Sequence, residues 1–328
     1  MHRSATTQGS ITRALRVAAW RVVGWMSLLF VAVVAMLAGP LSAAEVGEET
    51  ELIGPPPVNA PVEAWSDPYD PCESWQPWDW HILPDGLVYR SYLAGRESRF
   101  ATVWFSEHGH GYWDSSLGGR VGLLRYGNGS AARPEGWQLD LEGAAFPRLD
   151  LKDDRRELVS ADFRAGFPIT YGVGPMQLKV GYYHLSSHLG DEFMLRFPKV
   201  QRINYTRDSL IWGNSFYATD DLRVYGETAW AFHRAGGAEP WEFQLGVDYS
   251  PAGPTGARGA PFFAINTHLR QENDFGGNIT IETGWQWRGR LNGPLFRVGA
   301  HYLNGKSPQL EFFDDHEEQI GLGLWYDY

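Results

Sequence analysis

The chain has 328 residues, of which 43% are hydrophobic and 20% are charged, and it carries a formal net charge of −11 at pH 7. This acidic balance argues against a nucleic-acid partner, because proteins that bind nucleic acids need basic patches. The single cysteine, Cys72, excludes an intrachain disulfide.

The first 44 residues form a pattern typical of a secretory signal peptide. Four arginines and no acidic residue precede the apolar run 26–37 (MSLLFVAVVAML), and Ser42, Ala43 and Ala44 follow it. We therefore predict export and cleavage after Ala44. An uncleaved anchor helix is the alternative, but the apolar run is shorter than the ~20 residues that cross a membrane. Cleavage removes four positive charges and leaves a more acidic mature chain.

The next segment, residues 45–97, is rich in proline, tryptophan and acidic residues, as in DPYDPCESWQPWDW at 67–80. This composition is typical of an extended chain with turns, and we predict a periplasmic segment. Its stretch 86–94 (GLVYRSYLA) fits either a strand or a segment folded against the domain that follows.

From residue 98 to residue 328, apolar and polar residues alternate in runs of about ten residues, the length of tilted membrane strands. In 241–249, for example, Trp, Phe, Leu, Val and Tyr alternate with Glu, Gln, Gly and Asp. The sequence predicts an all-β fold, a transmembrane antiparallel β-barrel of about 12 strands. The strands are expected near residues 99–106, 117–126, 137–143, 159–167, 176–187, 208–218, 222–233, 241–249, 262–271, 279–287, 295–303 and 317–328.

A soluble β-sandwich is the alternative, because its strands also alternate. Aromatic residues at the ends of the apolar faces favour the barrel, since they are typical of interfacial girdles. In the last run, 319–328 (QIGLGLWYDY), Gly323, Tyr326 and Tyr328 form a Gly-x-x-aromatic-x-aromatic ending. It resembles the ending of barrels that the outer-membrane assembly machinery inserts, which implies an outer-membrane location and that machinery as a partner.

If Tyr328 ends in the periplasm, the side of the membrane on which each connection lies is fixed, because consecutive strands alternate in direction. The longest connection, 187–207, then lies outside, in agreement with the usual long outer loops and short periplasmic turns. The long connection 251–261 falls in the periplasm. The connections expected outside are 107–115, 147–156, 187–207, 234–240, 271–277 and 305–315.

Residues 176–188 (MQLKVGYYHLSSH) carry the most informative chemical pattern. The even-numbered residues from 176 to 182 form a lipid-facing set, and the same alternation places His184 and Ser186 on the outer surface near the extracellular end. A histidine two residues from a serine on one strand face can approach the hydroxyl and take its proton. Polar residues at lipid-facing positions are a functional hypothesis by default. We predict Ser186 as nucleophile and His184 as base.

A third group should orient the imidazole. On the following strand, the apolar residues Leu210, Trp212 and Phe216 indicate that even positions face lipid. Asp208 is therefore the first candidate, and Glu157 on the preceding strand is the second. The alternative for His184 and Ser186 is an interfacial position in water without catalysis.

The triplet His184-Leu185-Ser186 resembles a motif of two outer-membrane lipid hydrolases, outer-membrane phospholipase A and the lipid A deacylases. Both carry His-x-Ser on the outside of a barrel, with asparagine usually after the serine, where this chain has Ser187. The resemblance implies a serine esterase that deacylates outer-leaflet lipids, either phospholipid or lipid A.

The inward face of the predicted strands carries charges of both signs. Such side chains can line a water-filled path or pair with one another and close it. The sequence therefore leaves open a narrow passive channel for small solutes, or a structural barrel without activity. The charged residues with inward parity are Arg164, Lys179, Arg223, Glu227, Glu242, Asp248, Arg270, Glu282 and Arg297.

Two outer-loop runs contain residue types that bind metals, EHGH at 107–110 and DDHEE at 314–318. Carboxylates of this kind are ligands for hard cations, so a divalent cation at the acidic outer loops is one expectation. Solvated loop acids, with cations that only bridge to lipid head groups, are the alternative.

Five stretches of the chain resemble a family of predicted bacterial outer-membrane proteins that is defined only as a domain of unknown function. The resemblance covers most of the mature chain and implies a barrel without implying an activity. The stretches are 118–127, 137–151, 181–192, 246–264 and 317–328.

Overall fold

A computed structural model of the chain describes residues 77–129, 133–152, 156–291 and 293–328. The predicted signal peptide, Cys72 and most of the Pro/Trp-rich segment lie outside the described residues. No helix in these ranges is long and apolar enough to cross a membrane.

Twelve antiparallel strands, β2 to β13, form a closed ring in which each strand pairs with its neighbours in the sequence. The last strand pairs with the first, with Tyr326 opposite Phe100 and Ile320 opposite Ser106. The short strand β1 (Asp79–Ile82) pairs with the end of β3. The ring consists of β2 (Phe100–Glu107), β3 (His110–Gly127), β4 (Gly136–Asp150), β5 (Leu158–Val173), β6 (Met176–Leu189), β7 (Thr206–Tyr217), β8 (Leu222–Ala235), β9 (Trp241–Tyr249), β10 (Ala260–Arg270), β11 (Gly277–Arg288), β12 (Leu295–Lys306) and β13 (His316–Asp327).

The predicted all-β antiparallel barrel of about 12 strands is confirmed, and each ring strand overlaps one predicted run in the predicted order. The largest differences are at β3 and β4. β3 begins at His110 instead of 117, and β4 continues to Asp150 instead of 143. The added part of β3 lacks a clear apolar alternation, and pairing with β2 on one side and β4 on the other keeps it extended.

The barrel wall is apolar outside and polar inside. On β13 the outward side chains of Ile320 and Leu322 are 63% and 67% exposed, whereas Gln319 points inward and is buried. Large apolar side chains are exposed in the same way on the outer faces of β3 to β8. A soluble protein rarely exposes so continuous an apolar surface, whereas a membrane covers one. The chain is an outer-membrane-type β-barrel.

Ion pairs between strands occupy the inner wall. Arg297 donates hydrogen bonds to Glu282 at 2.9 Å and to Asp327 at 2.8 Å, and Lys179 lies 2.5 Å from Glu227. Buried charges are tolerated when they are paired and hydrogen-bonded. The charged residues predicted to point inward therefore stiffen the barrel by linking its strands.

Residues 86–99, here called the inner segment, run through the barrel interior without forming a strand. Tyr89 and Tyr92 are completely buried. Arg223 donates to the carbonyl oxygens of Arg90 and Ser91 at 2.8 and 2.7 Å, and the backbone N–H of Leu93 donates to Asp248.

Residues 86–97, the last part of the segment predicted to be periplasmic, lie among the strands, and a periplasmic location of residues 45–97 stays a prediction. The inward-facing arginines and acids satisfy backbone groups of the inner segment that have no strand partner. Of the two alternatives left open for 86–94, the folded segment is the correct one.

Residues 307–313, which connect β12 and β13, fold over one end of the lumen. The backbone N–H of Leu310 donates to Asp162 at 3.2 Å, and Glu311 accepts from the backbone of Ile203 and Asn204. A cavity of about 160 Å³ remains between this loop and the inner segment. The described lumen is thus filled from both ends.

Candidate functional site

β6 and β7 bring the predicted site residues onto one face. His184 is the direct cross-strand partner of Asp208, and Ser186 is the partner of Thr206. The residues that alternate with them on β6, Tyr183, Leu185 and Ser187, are buried on the inner side. The alternation read from the sequence therefore places His184, Ser186 and Asp208 together on the outer face of the barrel.

A hydrogen bond joins the predicted base to the predicted orienting acid. His184 Nδ1 lies 2.9 Å from Asp208 Oδ1. The histidine side chain is 44% exposed and the aspartate side chain 18%. A carboxylate on Nδ1 holds the proton there and leaves the lone pair of Nε2 free to accept another. Chemically, this arrangement allows Nε2 of His184 to take a proton.

Tyr182 makes a second contact that the sequence did not predict. Its hydroxyl donates to the same oxygen, Asp208 Oδ1, at 2.6 Å. His233 on β8 is the other cross-strand partner of Asp208. The sequence predicts Tyr182 only as a member of the apolar lipid-facing set. Its spacing of two residues from His184 was the available signal that the two side chains lie close together.

Ser186 lies on the outer face of β6 and is partly exposed. Among the described residues it makes no hydrogen bond with His184, whereas the neighbouring hydroxyl of Thr206 donates to the carbonyl oxygen of Leu185. Ser187 is buried on the inner side and donates to Asp162. Ser186 is thus an uncommitted hydroxyl two residues from His184.

Glu157, the second candidate for the orienting acid, lies away from the imidazole. It is buried just before β5, and one of its carboxylate oxygens lies 2.6 Å from Arg196. Arg196 belongs to the short helix α1 (Asp191–Arg196), which follows β6. The structure therefore brings Asp208, and not Glu157, to His184.

Apolar side chains surround this polar cluster on the outer wall. Tyr182 and Phe232 have ring centroids 6.2 Å apart, and Trp230 and Phe232 6.4 Å apart. Phe163, the partner of Ser186 on β5, is 46% exposed. Histidine, serine and aspartate therefore lie within a lipid-facing aromatic surface.

One residue of each run that suggested a cation makes another contact. His110 Nε2 lies 2.7 Å from Asp150 Oδ1, and Lys306 lies 3.0 Å from Asp314. Within the described ranges, no group of three or more His, Cys, Asp or Glu side chains is arranged to hold a metal ion. A divalent cation at these loops stays a prediction.

Comparison with known proteins gives one family match over most of the chain. The profile of a family described as "Protein of unknown function (DUF1207)" matches residues 81–328. No curated protein matches the chain in sequence.

Several solved structures are similar in fold. KdgM porin is 10% identical, with 70% of this chain and 98% of that chain covered and a TM-score of 0.38. Outer membrane phospholipase A from Escherichia coli is 8% identical, with 70% and 90% covered and a TM-score of 0.47. The Salmonella typhi outer membrane phospholipase dimer with bound calcium is also 8% identical, with 73% and 95% covered and a TM-score of 0.47. These are likenesses of fold alone.

Proposed function

The chain belongs to the DUF1207 family, and from its outward-facing polar cluster we propose that it is a serine esterase that deacylates outer-leaflet lipids, with phospholipid and lipid A as the candidate substrates. The observation that carries the proposal is the His184–Asp208 hydrogen bond of 2.9 Å on the lipid face, two residues from Ser186.

The position of the cluster supports a lipid substrate. Polar side chains facing a membrane are costly and are usually functional. A water-soluble ester would have to reach this outer wall through the membrane, whereas a lipid of the surrounding leaflet already contacts it. The outer leaflet is part of this proposal and depends on the predicted orientation of the strands, in which the end of β6 that carries Ser186 faces outside.

The proposed reaction uses the three side chains in the usual order. Ser186 Oγ attacks the ester carbonyl carbon while His184 Nε2 takes the hydroxyl proton, and Asp208 holds Nδ1–H and stabilises the imidazolium. The bond to the alcohol then breaks, and the leaving oxygen takes the proton from His184. Water hydrolyses the acyl-enzyme by the same route and restores Ser186.

The hydroxyl reaches the imidazole when substrate binds. Catalytic hydrogen bonds are often long before the substrate is present and tighten in the complex. Ser186 lies at the surface, beside Thr206 on one strand and Phe163 on the other. Its side chain can therefore rotate towards His184 without leaving a buried partner.

Covalent labelling tests the nucleophile. The refolded barrel in lipid vesicles is treated with a short-chain alkyl fluorophosphonate, and the modified residue is mapped by mass spectrometry. We expect an adduct on Ser186 that is lost in His184→Ala and kept in Thr228→Ala. Thr228 is a matched control because it lies on the outer face of β8 outside the cluster. An unmodified Ser186 in the wild-type protein overturns the proposal.

A narrow channel for small solutes is the second candidate function. The observation that favours it is the cavity of about 160 Å³ in the lumen, whose lining includes the charged residues Arg164, Glu242 and Arg270. Conduction requires displacement of the inner segment and of the connection 307–313.

A further inference from the structure

The cavity in the lumen contains a buried carboxylate without a partner. Glu97, in the inner segment, lines the cavity and is 3% exposed. Its backbone carbonyl oxygen accepts from Ser116 at 3.0 Å, but among the described residues nothing forms a hydrogen bond or an ion pair with the carboxylate. A buried charge without a partner is costly. This carboxylate therefore needs a cationic partner that the described chain does not supply.

The cations around Glu97 already have acidic partners. The pairs are Arg96 with Asp162, Arg99 with Asp327, Arg120 with Asp140, Arg164 with Glu142, and Lys179 with Glu227. Because these pairs neutralise themselves, the charge of Glu97 stays unmatched.

The two histidines that line the cavity lie beside other acids. His268 Nε2 is 3.6 Å from Glu242 Oε2, and His301 Nδ1 is 3.6 Å from Glu282 Oε1. A protonated histidine would therefore match those acids instead of Glu97.

A second group without a partner lines the same cavity. Arg270 is 1% exposed, and its Nη2 donates to the carbonyl oxygens of Ser307 and Phe313 at 2.9 and 3.3 Å. Its Nη1 has no hydrogen-bond acceptor among the described residues. A buried donor of this kind favours a ligand that carries an oxygen acceptor.

The two groups lie at neighbouring levels of the inner wall. A Cβ atom added at Gly95 would lie 2.6 Å from Gln244 Nε2 and 3.4 Å from Glu97 Oε1, so Gln244 is close to Glu97. Arg270 is the cross-strand partner of Glu242, which is two residues before Gln244 on β9. Two residues of a strand span roughly 7 Å, about the length of a small molecule.

The space between them suits such a molecule. The cavity has a volume of about 160 Å³, and roughly 150 Å³ is enough for a ligand of about six non-hydrogen atoms. The neutral polar residues Gln244, Asn266 and Thr280 are also part of its lining.

We propose that the lumenal cavity binds a small amino-acid-type zwitterion. Its primary ammonium group pairs with the carboxylate of Glu97, and its carboxylate accepts a hydrogen bond from Arg270 Nη1. This site lies inside the barrel and is independent of the esterase proposed on the outer wall.

Three probes of similar size test the site: γ-aminobutyrate carries both groups, butylamine only the ammonium group, and butyrate only the carboxylate. The barrel is refolded in detergent with each probe present, so that binding does not depend on entry into the closed lumen. A ligand that binds only the folded state raises the midpoint of denaturant unfolding, and its dependence on probe concentration gives an apparent Kd.

We expect γ-aminobutyrate to bind more tightly than butylamine, and butyrate not to bind. Glu97→Gln keeps the shape of the side chain and should raise the apparent Kd of γ-aminobutyrate at least tenfold. Glu135→Gln is the matched control and should leave it unchanged, because Glu135 accepts from the backbone of Gly174 outside the cavity.

Two results would overturn the site. One is the absence of a shift with either amine in the wild-type barrel, as expected if a proton already neutralises Glu97. The other is an equal apparent Kd in the wild type and in Glu97→Gln. Equal affinity for γ-aminobutyrate and butylamine would overturn the role of Arg270.

Discussion

His184 and Asp208 are direct partners across β6 and β7, and their side chains meet with Nδ1 and Oδ1 2.9 Å apart on the outer face of the barrel. A hydrogen-bonding partner stabilises a charged side chain on that face, because lipid offers no such partner. The register of β6 and β7 therefore sets the orientation of the imidazole, and the proposed reaction depends on that orientation.

Replacing the acid should remove most of the activity. Asp208→Asn keeps the size of the side chain but no longer stabilises the imidazolium, so we expect fatty-acid release to fall by roughly a hundredfold or more. The measurement is the initial rate of release in vesicles. Glu157→Gln serves as the comparison, and an equal loss in both variants would contradict a specific role for Asp208.

Tyr182 should act as a positioning residue. Tyr182→Phe removes one of the two hydrogen bonds to Asp208 Oδ1, so we expect kcat to fall by several-fold, equivalent to about 1 kcal/mol, while KM stays unchanged. Tyr302→Phe is a matched control, because Tyr302 also donates across strands to a carboxylate, Glu318, at 3.2 Å. A rise in KM without a change in kcat would assign Tyr182 to substrate binding instead.

The filled lumen predicts a closed pore. The intact barrel should show no steady conductance in planar bilayers, and deletion of residues 87–97 should produce one, because these residues occupy the barrel interior. If the deletion does not fold, the double substitution Tyr89→Ala and Tyr92→Ala is the second variant, since it removes two completely buried rings. Equal conductance of the intact and altered barrels would show that the inner segment does not block the lumen.

The ion pairs of the inner wall should contribute strongly to stability. Arg297→Ala leaves Glu282 and Asp327 buried without their shared partner, so we expect the free energy of unfolding to drop by about 3–5 kcal/mol. Arg290→Ala is the control, because its pair with Asp85 lies in solvent and should contribute less than about 1 kcal/mol. Denaturant unfolding in detergent measures both, and equal values would contradict the proposed role of the inner wall.

The strands could be predicted because each run alternates with a period of two, and this alternation can be recognised without knowing the partner strand. The same local signal placed His184 and Ser186 outside, and the apolar set beginning at Leu210 placed Asp208 on the same face. The family resemblance read from the sequence is confirmed by the match over residues 81–328.

The position of the inner segment could not be predicted in this way. Tyr89 is buried among residues of several strands, and the cross-strand register that brings those residues together depends on the whole barrel. The hydroxyl bond from Tyr182 to Asp208 has the same origin.

Release of fatty acid by the folded barrel tests the central claim most directly. The wild-type protein, Ser186→Ala and Thr228→Ala are placed in vesicles that contain phospholipid alone or phospholipid with lipopolysaccharide, and free fatty acid is measured over time. We predict release by the wild type and by Thr228→Ala from at least one of the two vesicles, and none above background by Ser186→Ala. Equal release by the wild type and Ser186→Ala, or no release by the wild type from either vesicle, would contradict the esterase.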